Sequence, residues 1–323
     1  MKKIVLGKSG RETTVLGFGG SSLMGALNRR QSLSLLESAF DAGIRHYDVA
    51  PMYGYGEAES CVGEFLARHS GQVTVTTKYG IPPAKNSSMI KVARQIVGPM
   101  VKMLPGMKQK LARVASAATS KPPRATFTAE QARTSLERSL TALRTDHIDV
   151  WLLHEVEAGD LQDDGLLRFL EDQVAKGIVG TFGIGSEGSK VAELIAKKPA
   201  YCSVLQYEWS ILDAKPPADG AFRIHHRALT SNFRALHGAL TASPALLKRW
   251  SDTVGADLGN SNTLASLMLR ASLCANLESV ILFSSKSPGH ISANVRTATD
   301  GSLDSSAQKL HQLVQTEHKE LGL

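Results

Sequence analysis

Four ionisable side chains sit at or just beyond the ends of short apolar runs. Asp48 closes Arg45-His46-Tyr47-Asp48, Lys78 closes Val73-Thr74-Val75-Thr76-Thr77-Lys78, and His154 closes Asp149-Val150-Trp151-Leu152-Leu153-His154. Tyr53 lies five positions beyond Asp48, in the turn Pro51-Met52-Tyr53-Gly54-Tyr55-Gly56, and Glu57 and Glu59 open the helix that follows. These are the parts of a proton relay. A tyrosine hydroxyl titrates near ~10 when unperturbed, so at neutral pH it gives up its proton reluctantly. A neighbouring ammonium favours the phenolate, each unit of lowering being worth about 1.4 kcal/mol. A carboxylate keeps that lysine paired, and a histidine directs a hydrogen bond at a substrate oxygen. Each residue alone has an ordinary structural role as cap, packing group or rim charge. Their joint order is what points to chemistry.

Something must bring four distant positions together. After a hairpin (Lys3 to Leu6, turn at 7–10, return through Thr13), apolar segments alternate with helical patterns. The periodicity predicts strands at 45–50, 73–78, 148–153, 181–185 and 203–207, and helices at 31–42, 57–69, 128–143, 164–176 and 189–197. Thr128 followed by Gln131 reads as a capping box. The last third is less regular, with strands at 222–226 and 279–283 and helices at 262–275 and 288–296. About eight strand–helix units predict an α/β fold, a closed (β/α)8 TIM barrel with an amino-terminal β-hairpin. Its functional face is the carboxyl end of the strands. A doubly wound sheet is disfavoured, because Gly17-Phe18-Gly19-Gly20 lacks the third glycine of a dinucleotide fingerprint.

The 323 residues are expected to form one barrel domain, 1–323, with no membrane-spanning run. Cys61, Cys202 and Cys274 are far apart and odd in number, which reads as buried free thiols with no metal site. A cytoplasmic location is the expectation. The net charge of +7 is concentrated: residues 81–125 hold nine Lys and Arg and no Asp or Glu. This long basic insert after the third strand reads as a lid, with contact to a membrane surface or an acidic partner as a weaker reading. It lacks the interleaved aromatics of a nucleic-acid site.

The chain resembles the aldo-keto reductases. The resemblance is carried by Asp48-Val49-Ala50-Pro51-Met52-Tyr53-Gly54, Thr77-Lys78-Tyr79-Gly80, His147 to His154, Gly183-Ile184-Gly185-Ser186, Gln206-Tyr207-Glu208 and Ser284 to Ile291 with Asn294. It implies an NAD(P)H-dependent oxidoreductase that reduces an aldehyde or ketone, or runs the reverse. It implies Tyr53 as general acid/base, Lys78 and Asp48 as its tuning pair, and His154 as the residue that orients the carbonyl. It also implies a cofactor site built from Gly20, Ser21, Asp48, Ser186, Gln206, Ser284, Ser285, Lys286, His290 and Asn294. Lys286 as the one firm cation favours NADP(H) and leaves NAD(H) open. The segment His225-His226-Arg227 departs from the usual pattern, so what stacks on the nicotinamide is not assigned. Two other readings use the same residues: a lyase or aldolase with Lys78 as Schiff base, and a non-catalytic, cofactor-binding regulatory relative.

Overall fold

The computed structural model describes residues 1–83, 126–217 and 219–317. Residues 84–125, most of the basic insert with its expected helical stretches and lid role, lie outside the described residues. An antiparallel hairpin pairs β1 (Lys3–Val5) with β2 (Glu12–Thr14). Eight parallel strands then close a barrel: β3 (Leu16–Gly19), β4 (His46–Asp48), β5 (Thr74–Tyr79), β6 (Ile148–His154), β7 (Val179–Gly185), β8 (Val204–Glu208), β9 (Phe222–His226) and β10 (Ser279–Phe283). Closure is by β10, which pairs with both β9 and β3.

Around the barrel run α1 (Arg29–Asp41), α2 (Ala58–Leu66), α3 (Ala129–Leu143), α4 (Asp164–Ala175), α5 (Gly188–Lys197), α6 (Thr230–Ala242), α7 (Pro244–Val254), α8 (Ser261–Ala275), α9 (Pro288–Thr299) and α10 (Asp304–Glu317). None is long and apolar enough to cross a membrane, among the described residues. The barrel and the hairpin are as expected. Helices α6, α7 and α10 were not anticipated, and α2 stops at Leu66 rather than running to 69. Helix α1 starts earlier than expected, because Asn28 and Gln31 form a reciprocal capping box. At α3 only half of the expected box forms. Thr128 accepts from the Gln131 amide, while the Gln131 side chain turns back to Thr126.

Strand alternation decides what faces the barrel axis. On β5 the inward set is Thr74, Thr76 and Lys78, and the outward Thr77 donates to Glu59 of α2 at 2.7 Å. Low in the barrel, His46 sits between Thr74 Oγ1 (3.0 Å) and Thr76 Oγ1 (3.2 Å), and Thr13 Oγ1 lies 2.7 Å from Thr74 Oγ1. Apolar Val150, Leu152, Val204, Ile224 and Leu282 fill the rest of the interior, with Ile4 and Leu6 of the hairpin joining that cluster. Gly17 is required there: a Cβ would come 2.7 Å from Leu282 and 2.9 Å from Val280. A second, larger apolar layer lies between strands and helices and includes Trp151, Phe65 and Trp250. Cys61 and Cys202 are buried free thiols as expected, whereas Cys274 is only half-buried.

Candidate active site

Register brings the first two groups together. Asp48 pairs with Thr76, and Lys78 is the next inward residue on β5, one pleat nearer the carboxyl end. Lys78 Nζ donates to Asp48 Oδ1 at 2.6 Å and to the Val49 carbonyl at 3.1 Å. Gln206, on β8 across the barrel, donates Nε2 to Asp48 Oδ2 at 2.6 Å. Both carboxylate oxygens are therefore engaged in a site where Asp48 and Lys78 are almost wholly buried. Burial works against the Lys78 charge, but the Asp48 carboxylate more than restores it, and the lysine is held above its ordinary value. The ammonium is the resident form.

Tyr53 opens a single helical turn, Tyr53–Gly56, and its amide donates to the Ala50 carbonyl at 3.0 Å. The turn is tight. Gly54 has φ 57, and a Cβ there would come 2.6 Å from the Leu23 carbonyl. This places the Tyr53 ring centroid 5.5 Å from Lys78 Nζ. The ammonium pulls the phenol down more strongly than any other single influence. Burial and Asp48 together outweigh it, and the hydroxyl is held above its ordinary value. Lys78 thus favours the phenolate as expected, but burial and Asp48 set the resting state: Tyr53 rests as a protonated phenol.

His154 ends β6 and reaches the same cavity. Burial, aided by Lys78, pushes it down to about 3, so the ring is neutral. Its Nδ1 is buried without a hydrogen-bond partner among the described residues. His226, at the end of β9, is likewise pushed down by burial to about 4.

These groups line one cavity of about 480 Å3. Of the expected residues, Ser21, Asp48, Tyr53, Lys78, His154, Ser186, Gln206, Ser284 and Asn294 all line it. Four do not. Gly20 packs beneath, with a Cβ there 3.0 Å from the Asp48 carbonyl. The Ser285 hydroxyl is spent on the Ser287 carbonyl, 3.0 Å away, in the turn before α9. Lys286 and His290 are exposed outside the cavity. Sequence reasoning missed Glu155, Glu208, His226, Arg227 and Thr230 as lining residues. Glu208 could have been found, because it follows Gln206 by two on one strand and so shares its face. The backbone also marks the mouth. Of six described non-glycine residues with left-handed φ, five (Met24, Tyr55, Glu155, Arg227 and Thr230) follow carboxyl ends of barrel strands. Such conformations concentrate at working sites.

Residues 15–219 match the aldo/keto reductase family. The chain belongs to that family. The match ends before the Ser284 to Asn294 segment, which was expected to carry part of the resemblance. Among curated relatives, pyridoxal 4-dehydrogenase of Microbacterium luteolum is 39% identical over 82 residues, 24% of each chain. D-threo-aldose 1-dehydrogenase of a Pseudomonas species is 31% identical over 188 residues, 55% of this chain and 51% of that protein. The chain thus spans about a quarter of one of those relatives and about half of the other. An aldo-keto reductase of Bacillus halodurans shares the fold, with TM-score 0.66 and 18% identity over 96% of both chains. So does one of Klebsiella pneumoniae solved with NADPH, with TM-score 0.60 and 16% identity over 96% and 95%.

In this aldo/keto reductase the cavity fits a nicotinamide in part. Gln206 spends its amide on Asp48, leaving Oε1 as an acceptor, and Ser186 spends its hydroxyl proton on the Val156 carbonyl at 3.1 Å. Both residues line the cavity, so each keeps an acceptor oxygen of the kind a carboxamide NH2 would need. Ser284 donates to the Gly19 carbonyl at 2.8 Å and sits 3.2 Å from Ser21 Oγ. Both hydroxyl oxygens retain lone pairs toward the cavity rim. Helix α9 begins at Pro288 without a side-chain cap, which leaves the amides of Gly289 and His290 for an anion.

Proposed function

We propose that this chain is an NAD(P)H-dependent oxidoreductase that reduces a small aldehyde or ketone to an alcohol, or runs the reverse, within one barrel domain. The observation that carries the reading is the buried Lys78–Asp48–Gln206 chain of hydrogen bonds beneath Tyr53. Bound nicotinamide would supply the hydride. Everything else falls to this chain's own side chains. Tyr53, held as a phenol, gives its proton to the substrate oxygen, and the phenolate that forms is met by the Lys78 ammonium. Asp48 keeps Lys78 charged at the moment this is needed. Neutral His154 offers a directional hydrogen bond to the same oxygen.

Ser186, Gln206 and Asn294 would hold the carboxamide end, and Ser21 and Ser284 the phosphate end. For the outer phosphate we assign Lys286 and His290 at the start of α9, with NADP(H) preferred over NAD(H). Support comes from the NADPH complex of the Klebsiella pneumoniae relative and from the uncapped helix start. Substrates of the relatives, an aldose and pyridoxal by name, favour a hydroxylated carbonyl compound. A Schiff-base role for Lys78 is disfavoured, since a raised lysine paired at 2.6 Å is a poor nucleophile.

Titration of tryptophan emission with NADPH and with NADH tests the reading. Saturable quenching with the tighter value for NADPH is expected. No binding of either up to about a millimolar, the top of the usual range for enzyme ligands, would overturn it.

A further inference from the structure

At the amino ends of β5 and β6, on the face of the barrel opposite the relay, lies a cavity of about 240 Å3 that the proposed reaction does not use. Its polar walls include Arg11, Ser70, Arg144, His147 and Asp149. Asp149, the second residue of β6, is almost wholly buried. Its Oδ2 accepts from the Val75 amide at 2.8 Å. Its Oδ1 is buried and accepts no hydrogen bond among the described residues. Arg11 Nε stands 3.4 Å from it and His147 Nε2 3.7 Å, which are ion-pair distances only. A buried acceptor left open is costly, and this one borders a cavity.

Charge says what kind of group completes it. His147 Nδ1 lies 2.7 Å from the Gly177 carbonyl, which can only accept, so Nδ1 carries a proton and Nε2 is the nitrogen that titrates. Asp149 beside it holds His147 above its ordinary value. Arg11 spends Nη2 on the Val73 carbonyl at 3.2 Å and keeps Nη1. Arg144, left-handed after α3 with φ 53, has no ion-pair partner among the described residues. Two carboxylates share the lining, Asp149 and the exposed Asp146, while His69 is spent on Glu37 at 2.7 Å. A metal or ammonium ion would meet two guanidinium groups. A fully deprotonated anion would set a lone pair against Asp149 Oδ1. An anion that keeps a proton meets neither obstacle: its O–H donates to Oδ1 while its other oxygens accept from Arg11, Arg144 and Ser70.

We infer that the base of the barrel is a binding site for inorganic phosphate, held by Arg11 and Arg144 and donating its own O–H to Asp149. Sulfate has no proton to give at neutral pH. A phosphate monoester sheds its second proton near ~6, so above that pH free phosphate is the member of the class that fits. Bound there, it ties the hairpin to the turns that precede β5 and β6, and so acts on the scaffold rather than on the relay.

The test is a calorimetric titration of the full chain with sodium phosphate, sodium sulfate and methyl phosphate at constant ionic strength and about pH 7.5, where a monoester is a dianion. Phosphate is expected to bind at least about tenfold more tightly than either other anion, the range of one hydrogen bond to a charged group. Arg144→Ala should weaken phosphate by about tenfold on the same ground, and Lys286→Ala, at the start of α9, should leave it unchanged. Asp149→Asn keeps an oxygen for the Val75 amide and offers the cavity a donor, so sulfate should gain at least about tenfold and the preference disappear. Equal affinity for phosphate and either other anion in the unaltered chain overturns the inference, as does no saturable phosphate binding up to about 10 mM. Loss of binding in Lys286→Ala with Arg144→Ala unaffected overturns it too, by moving the ion to the cofactor site. If Asp149→Asn fails to fold, the anion ratio of the unaltered chain and the Arg144→Ala result still decide.

Discussion

Lys78 and Asp48 meet at 2.6 Å because Lys78 stands one inward step beyond Thr76, the residue that β-pairing sets opposite Asp48. The relay is thus a consequence of strand register. Gln206 completes it from the far wall, so the carboxylate is fixed from two sides before any substrate arrives.

Removing one member of a buried pair leaves the other charge uncompensated. Asp48→Asn is expected to lower stability by about 3–5 kcal/mol and to cost turnover as well, because Lys78 loses the group that keeps it charged. Lys78→Met is expected to be destabilising too but milder, since the carboxylate it strands still accepts from Gln206. Paired thermal melts check this. Equal melting temperatures for Asp48→Asn and the parent chain would contradict it.

Tyr53→Phe deletes one hydroxyl from a half-buried ring and leaves the packing in place. Turnover should fall about 10²- to 10⁴-fold, the usual contribution of a positioned proton donor, with nicotinamide affinity within about threefold of the parent, under a single kcal/mol. Steady-state rates and a binding titration on the same preparation separate the two effects.

Gly54 holds Tyr53 through a left-handed turn with no room for a side chain. Gly54→Ala is expected to destabilise by more than about 1 kcal/mol and to lower kcat through a displaced phenol. The melting temperature and kcat should fall together. A fall in stability with kcat unchanged would detach the turn from the chemistry.

Among the described residues, four histidines are held neutral by their surroundings. Burial is the leading cause for each: His46 is pushed down from 6.5 to about 4, His154 to about 3, His225 to about 3 and His226 to about 4. Below 6.5 the unfolded chain takes up protons that the folded chain refuses, so stability present above that pH is lost as pH falls toward 4. Each group contributes about 1.4 kcal/mol per pH unit across its window. Denaturant melts should show a plateau above neutrality and a steep decline below about 6, within a unit of the ordinary histidine value. His46→Gln should flatten that decline, and an unchanged slope would contradict the assignment.

Much of this was legible in the sequence. Strand ends carrying Asp48, Lys78 and His154 follow from apolar runs that stop on a charge, and the alternation of eight such units implies closure. The meeting of Arg11 with Asp149 was not legible, because nothing local in a hairpin says which strand start will lie beside it. Lys286 and His290 were legible by type alone and not by place. Their types suited a phosphate, but the fold leaves them outside the cavity that holds the relay. Helices α6 and α7 were not anticipated because Ser and Thr interrupt the apolar spacing of α6 and Pro244 lies between the two, although tertiary packing on Leu236, Leu240 and Trp250 sustains both.

The most direct test of the proposed activity follows the near-ultraviolet absorbance of NADPH after adding a short aldehyde, with Tyr53→Phe and the parent chain side by side. Aldehyde-dependent loss of that absorbance in the parent, slowed at least about a hundredfold in Tyr53→Phe, is the predicted result. Equal rates in the two chains, or no aldehyde-dependent loss in either, would contradict the account.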